Sequence, residues 1–172
     1  MEIERKGLEK KFFELVQDVV KGEGYELYDL EYLTGQKLLR LYIMDPETQT
    51  VVIEDCVQVD RALTEPFEQN DWIPEDVVLE VSSPGIYRKL RNKQHFEWSL
   101  EKRIALKYRG DLDFGEESKN RALKGQNLIG FLKGVNGESD FEITLEVPLK
   151  DKTINVNIDS KQLVKANWEP EL

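Results

Sequence analysis

The sequence predicts an α+β protein: an N-terminal α/β sandwich followed by a small all-β barrel. Three observations predict it. In the first half, two stretches of helical period are interleaved with three of strand period. In the second half, apolar residues alternate with polar ones in five short runs. The charge balance also changes sign between the halves. Residues 1–83 hold 8 Lys and Arg against 20 Asp and Glu, whereas residues 84–172 hold 16 against 14.

The first element is an amphipathic helix over residues 8–20. Leu8, Phe12, Leu15, Val16, Val19 and Val20 share one face. Gly22 and Gly24 stop it. Residues 25–33 and 38–44 read as strands, with Thr34-Gly35-Gln36-Lys37 as their hairpin connection and Asp45-Pro46 as the closing turn. A second helix spans about residues 54–68. Its apolar face is Cys56, Val59, Leu63 and Phe67, and Glu54 and Asp55 complement its positive end. Pro66 should kink or stop it. Trp72-Ile73-Pro74 should cover an edge of the core. Val77, Leu79 and Val81 alternate as a third strand. The order αββαβ makes the second helix a crossover, so the third strand lies parallel to an earlier one. Both helices can then cover one face of a three-stranded sheet.

In the second half, Ile104, Leu106 and Tyr108 alternate, as do Phe141, Ile143, Leu145 and Val147, and then Ile154, Val156 and Ile158. Residues 128–135 and Leu163-Val164 supply two more strands. Five short strands suggest a small closed or nearly closed barrel. Residues 110–127 form a long charged loop. Asn136-Gly137 is a hairpin signal. The same residues give a GxxG pattern, but the nucleic-acid clamp of that form needs flanking helices, so Gly134–Gly137 reads as a turn. The expected division is residues 1–85, a basic linker at 86–94, and residues 95–172.

Composition narrows the function classes. With 40% hydrophobic residues the chain can build a core. No apolar run approaches the ~18 residues of a membrane span, and the charged start is not a secretory signal. Cys56 is the single cysteine and cannot close an internal disulfide, which fits a cytosolic protein. A net charge of −10 opposes polyanion binding by the whole molecule but not by one basic face.

Catalysis has little to stand on. His95 is the only histidine and sits beside Phe96, where packing explains it better than base chemistry. Cys56 shares a helix face with core residues. One Cys and one His make no ordinary zinc site, and no phosphate-cradling glycine loop is present. The positive signal is local. Arg88, Lys89, Arg91, Lys93, Lys102, Arg103, Lys107 and Arg109 fall between Tyr87 and Arg109, with only Glu97 and Glu101 opposing them. Tyr87, Phe96, Trp98 and Tyr108 interleave. Cations with aromatics suit phosphate contact and base stacking. The alternative is that such cations only solubilise barrel strands. Ser82-Ser83-Pro84-Gly85, taken alone, is a turn ending the third strand.

Leu79-Glu80-Val81-Ser82-Ser83-Pro84-Gly85, followed by Arg88 and Leu90, resembles the signature of the bacterial ribosome maturation factor RimP family. Gly24-Tyr25-Glu26-Leu27, Leu41-Tyr42-Ile43, Glu54-Asp55-Cys56 and Lys165-Ala166-Asn167 match the family's pattern in order. The resemblance implies an SH3-like C-terminal barrel. It also implies a non-enzymatic factor, without cofactor or metal, that assists maturation of the immature 30S subunit. The expected partners are 16S rRNA and a basic small-subunit ribosomal protein, with no membrane contact, for a cytoplasmic monomer. Arg88, Lys89, Arg91 and Lys93 are the candidate phosphate contacts, all expected to face solvent, with Arg103 and Lys107 behind them. Ser82, Ser83, Pro84 and Gly85 should shape the junction. The family's Leu-Asp-Arg-Pro-Leu is replaced here by Ile86-Tyr87-Arg88-Lys89-Leu90, so a role for that aspartate does not carry over and the linker loses a rigid proline. Two rivals are a protein–protein adaptor using the barrel without RNA, and an enzyme using Cys56 or His95.

Overall fold

Phe12, Val16 and Val20 lie one helical turn apart, and all three are fully buried. That stripe sets the packing of the N-terminal unit. A computed structural model of the chain describes residues 3–172. Among them two compact units are distinguished, Glu4–Pro84 and Gly85–Leu172.

In the first unit, α1 (Gly7–Gly22) precedes β1 (Glu26–Leu33) and β2 (Leu38–Met44), then α2 (Ile53–Glu68) and β3 (Val78–Ser82). The sheet order is β1-β2-β3. β1 and β2 are antiparallel, and β3 lies parallel to β2, as a helical crossover requires. Leu39, Leu41 and Ile43 alternate along β2 and meet Phe12, Val16 and Val20 of α1 and Val59 and Leu63 of α2 in one cluster. The expected edge cover is present: the Trp72 and Phe12 ring centroids are 5.2 Å apart. Pro66 does not end α2, which runs on to Glu68.

Two features of this unit carry no sequence period. Arg5 reaches across to β1, where its guanidinium donates to the Asp29 carboxylate at 2.7 Å and to the Leu30 carbonyl at 2.7 Å. α2 begins after Val52, which has no side-chain acceptor. Instead the Asp55 carboxylate accepts from the Val52 N–H at 2.9 Å. The Tyr25 hydroxyl donates to the same carboxylate at 2.6 Å. That bond pushes the Tyr25 hydroxyl up to about 12 and holds Asp55 below the usual carboxylate range. Linkage fixes the signs. The Tyr25 contribution is present below the ordinary tyrosine value and lost as pH rises through about 12. The Asp55 contribution is present above its ordinary value and lost as pH falls through its depressed one. Tyr25→Phe should therefore raise the midpoint of Asp55 in an NMR carboxyl titration; an unmoved midpoint would refute the coupling.

Cys56 is half-buried on the flank of α2 rather than enclosed. Burial and the neighbouring Asp55 push its thiol up, so the nucleophilic thiolate is scarce at neutral pH. Maleimide labelling should be slow at pH 7 and accelerate only above the free-thiol value of about 8.5. A rate already at its plateau at neutral pH would contradict this.

The second unit contains α3 (Lys93–Glu97), β4 (Arg103–Tyr108), β5 (Asn127–Gly137), β6 (Phe141–Pro148), β7 (Thr153–Asp159) and β8 (Leu163–Trp168). Its five strands form one antiparallel sheet in the order β7-β6-β5-β4-β8. Phe96, Ile104, Leu106, Phe141, Ile143, Leu145, Val156 and Ile158 fill its core. The 110–127 loop is anchored by Leu123, which is buried, and by Leu112 and Phe114 against the core.

The expected turn at Asn136-Gly137 is displaced. The ladder continues through Asn136↔Glu142 and Gly137↔Phe141, leaving Glu138–Asp140 as the loop. Phe141 is 1% exposed and packs 5.5 Å from the Phe96 ring, and the demand to bury it sets the register.

Candidate nucleic-acid interface

The stretch expected to be a linker is folded onto the edge of this sheet. Gly85 adopts φ +82°, which favours glycine. The chain then turns, and the Arg88 Nε donates to the Gly85 carbonyl at 2.9 Å. Lys89 bridges Asn167 of β8. Flanking bonds run from Leu90 N–H to the Ala166 carbonyl at 2.9 Å and from Trp168 N–H to the Arg88 carbonyl at 3.0 Å. The donors of these two bonds are Leu90 and Trp168. The absence of proline leaves the segment tied at both of these points.

Alternation along this edge divides the predicted cations. Arg88 and Leu90 turn inward, with exposures of 4% and 1%. The Arg88 guanidinium lies 4.0 Å above the Trp168 ring. Trp168 Nε1 donates to Ser99 Oγ at 2.7 Å, and Ser99 Oγ donates to the His95 carbonyl at 2.6 Å. The expectation that all four junction cations face solvent therefore fails at Arg88: the Trp168 face and the Gly85 carbonyl hold it inside.

His95 is fully buried. Its Nδ1 accepts from the Arg91 N–H at 3.0 Å, which orients the ring in a packed site. α3, unforeseen in the sequence, begins where Asn92 Oδ1 accepts from the His95 N–H at 2.9 Å. Arg91 is half-buried. Lys93 pairs with Glu97 at 3.0 Å. Arg103 donates to the Glu169 carbonyl at 2.8 Å and approaches Glu171 at 3.9 Å.

Lys89 and Lys107 point the other way. Ile104, Leu106 and Tyr108 face the core, so Ala105 and Lys107 face out. One outward row runs Lys89, Asn167, Ala105, Ile129 across four segments. The next runs Lys165, Lys107, Asn127. Lys165 and Asn127 are exposed, and Ile129 is 41% exposed. Lys107 and Lys165 are direct cross-strand partners, with Cβ atoms about 5 Å apart, a placement that destabilises like charges. Neither forms an ion pair among the described residues. The result is a polar and basic platform with an apolar side chain at its border, suited to a phosphate-bearing chain.

Lys165, Asn167 and Asn127 were missed as site residues. The register slips between Lys107↔Lys165 and Tyr108↔Leu163, leaving Val164 as an extra residue on β8. That bulge breaks the period of two, so the alternation legible in the sequence stops at Val164.

The junction residues divide simply. Ser82 ends β3, while Ser83, Pro84 and Gly85 are half-buried. Residues 15–87, which span this junction signature, match the family model of the RimP N-terminal domain.

Proposed function

Because the chain belongs to the RimP family of ribosome maturation factors, we propose that it assists maturation of the small ribosomal subunit by binding the immature 30S particle. The platform of Lys89, Lys107 and Lys165 contacts 16S rRNA phosphates. The N-terminal unit, with 20 acids against 8 cations over residues 1–83, engages a basic small-subunit ribosomal protein. Electrostatic complementarity on both sides sets orientation and association rate. The observation that carries the reading is the Lys107↔Lys165 pair. Two like charges placed side by side at an exposed sheet face are relieved by a polyanion.

The adaptor reading has less support. A peptide groove of the proline-binding kind needs exposed aromatics. Here Phe96, Tyr108 and Phe141 are buried, and Trp168 is engaged by Arg88. Tyr87, at 48%, is the exposed aromatic among the described residues of this unit. Sedimentation with purified particles tests the proposal: the protein should travel with free or immature 30S and not with 70S. Co-migration with neither would refute it.

A further inference from the structure

The start of α2 presents apolar residues where a helix start is ordinarily polar. Val52 is 61% exposed, Ile53 77% and Val57 40%. They border a cleft of about 430 Å³ lined also by Val51, Cys56, Val81 and Ser82. Ile53 and Val57 additionally form one wall of a second depression, which extends to Glu23, Glu54, Gln58 and Arg61. They thus stand as a ridge between two hollows. Nothing in the packing of the unit requires this, because the buried stripe of α2 is Val59 and Leu63.

The surroundings are acidic. From Asp45 to Arg61 there are five acids, Asp45, Glu47, Glu54, Asp55 and Asp60, against one cation, Arg61, which lines the second depression and not the cleft. Asp60 lines the cleft itself. Hydrogen bonds from the Thr48 and Glu47 N–H groups hold the Asp45 carboxyl below its usual range. Such a rim repels nucleic acid and anionic lipid and attracts cations.

We propose that this cleft receives a large apolar side chain from a basic protein segment, with flanking Lys or Arg residues meeting the acidic rim. This rests on the reading that the acidic unit engages a basic protein and adds where and how. The apolar side chain sets specificity and the rim sets the on-rate.

The test uses the full chain and no ribosome, so its failure would leave the 30S proposal standing. Fluorescence anisotropy measures two labelled Lys/Arg peptides, one with a central Leu and one with a central Gly. The Leu peptide should bind about tenfold more tightly, as burial of one such side chain implies. Ile53→Ser with Val57→Ser should abolish that preference and leave the Gly-peptide affinity in place. Glu54→Lys with Asp60→Lys should weaken both peptides alike. Melting curves matching the wild type confirm that these exposed substitutions leave the fold intact. Equal affinity of the two peptides, or a preference that survives in the Ser variant, overturns the proposal. So does a homodimer that only the Ser variant dissolves, which would assign the face to a second copy of the chain.

Discussion

Alanine at Gly130 should destabilise the C-terminal unit by about 3 kcal/mol. Gly130 lies in β5, where a Cβ would stand 2.3 Å from the Glu146 carbonyl oxygen and 3.0 Å from Leu145 Cγ. The first obstacle is backbone of the neighbouring strand, so no rotamer change relieves it. β5 and β6 must separate, and their hydrogen bonds loosen with them. A loss of that size is a large share of the ~5–15 kcal/mol that stabilises a domain. It corresponds to a fall in Tm of roughly 12–24 °C for a unit of this size. Gly134→Ala is the control, because a Cβ there makes an ordinary contact 3.4 Å from Thr144 Oγ1. Differential scanning calorimetry on both variants decides the matter. If Gly130→Ala melts with Gly134→Ala, the close approach of β6 does not constrain the fold.

Lys165→Glu should move stability and RNA affinity in opposite directions. In the wild type Lys165 faces Lys107 across the ladder. A glutamate there replaces repulsion by attraction and should stabilise the unit by about 0.2–1 kcal/mol. On the proposed reading of the platform, the same change removes one phosphate contact and places a negative charge beside the RNA. Affinity for bare 16S rRNA should fall about tenfold or more, and the salt slope should become shallower by about 0.7–0.9. Arg103→Ala is the contrasting variant. Its guanidinium is occupied by the Glu169 carbonyl and Glu171, so its loss should alter RNA affinity little. Filter binding across a salt series, paired with thermal melts, reads both quantities. A Lys165→Glu protein that is more stable yet binds RNA with unchanged affinity and slope would show that the platform cations only solubilise the sheet.

The αββαβ order, the two buried helix stripes and the five strands of the second unit were legible because each rests on a local period. Phe12, Val16 and Val20 recur at helical spacing, and Ile143, Leu145 and Val147 alternate, whatever they pack against. That β3 lies parallel to an earlier strand also followed from connectivity, since a strand reached through a helix returns in the same direction; that this strand is β2 did not. So did the concentration of cations after Gly85, which is a count.

The inward or outward direction of each cation was not legible, because it depends on register with a distant strand. Lys89 and Arg88 are chain neighbours of the same charge. The Lys89↔Asn167 bridge puts one on the platform and the other over Trp168, and Trp168 lies at the far end of the second unit's sequence. Lys165 joins Lys107 only because Val164 bulges from β8, and a bulge is a property of two paired strands. α3 escaped because five residues are too few to display a helical period. The sequence by itself determined which residues form elements and where charge accumulates. Tertiary pairing decided which charges stand together on one face, because a sheet aligns side chains by partner and register rather than by distance along the chain.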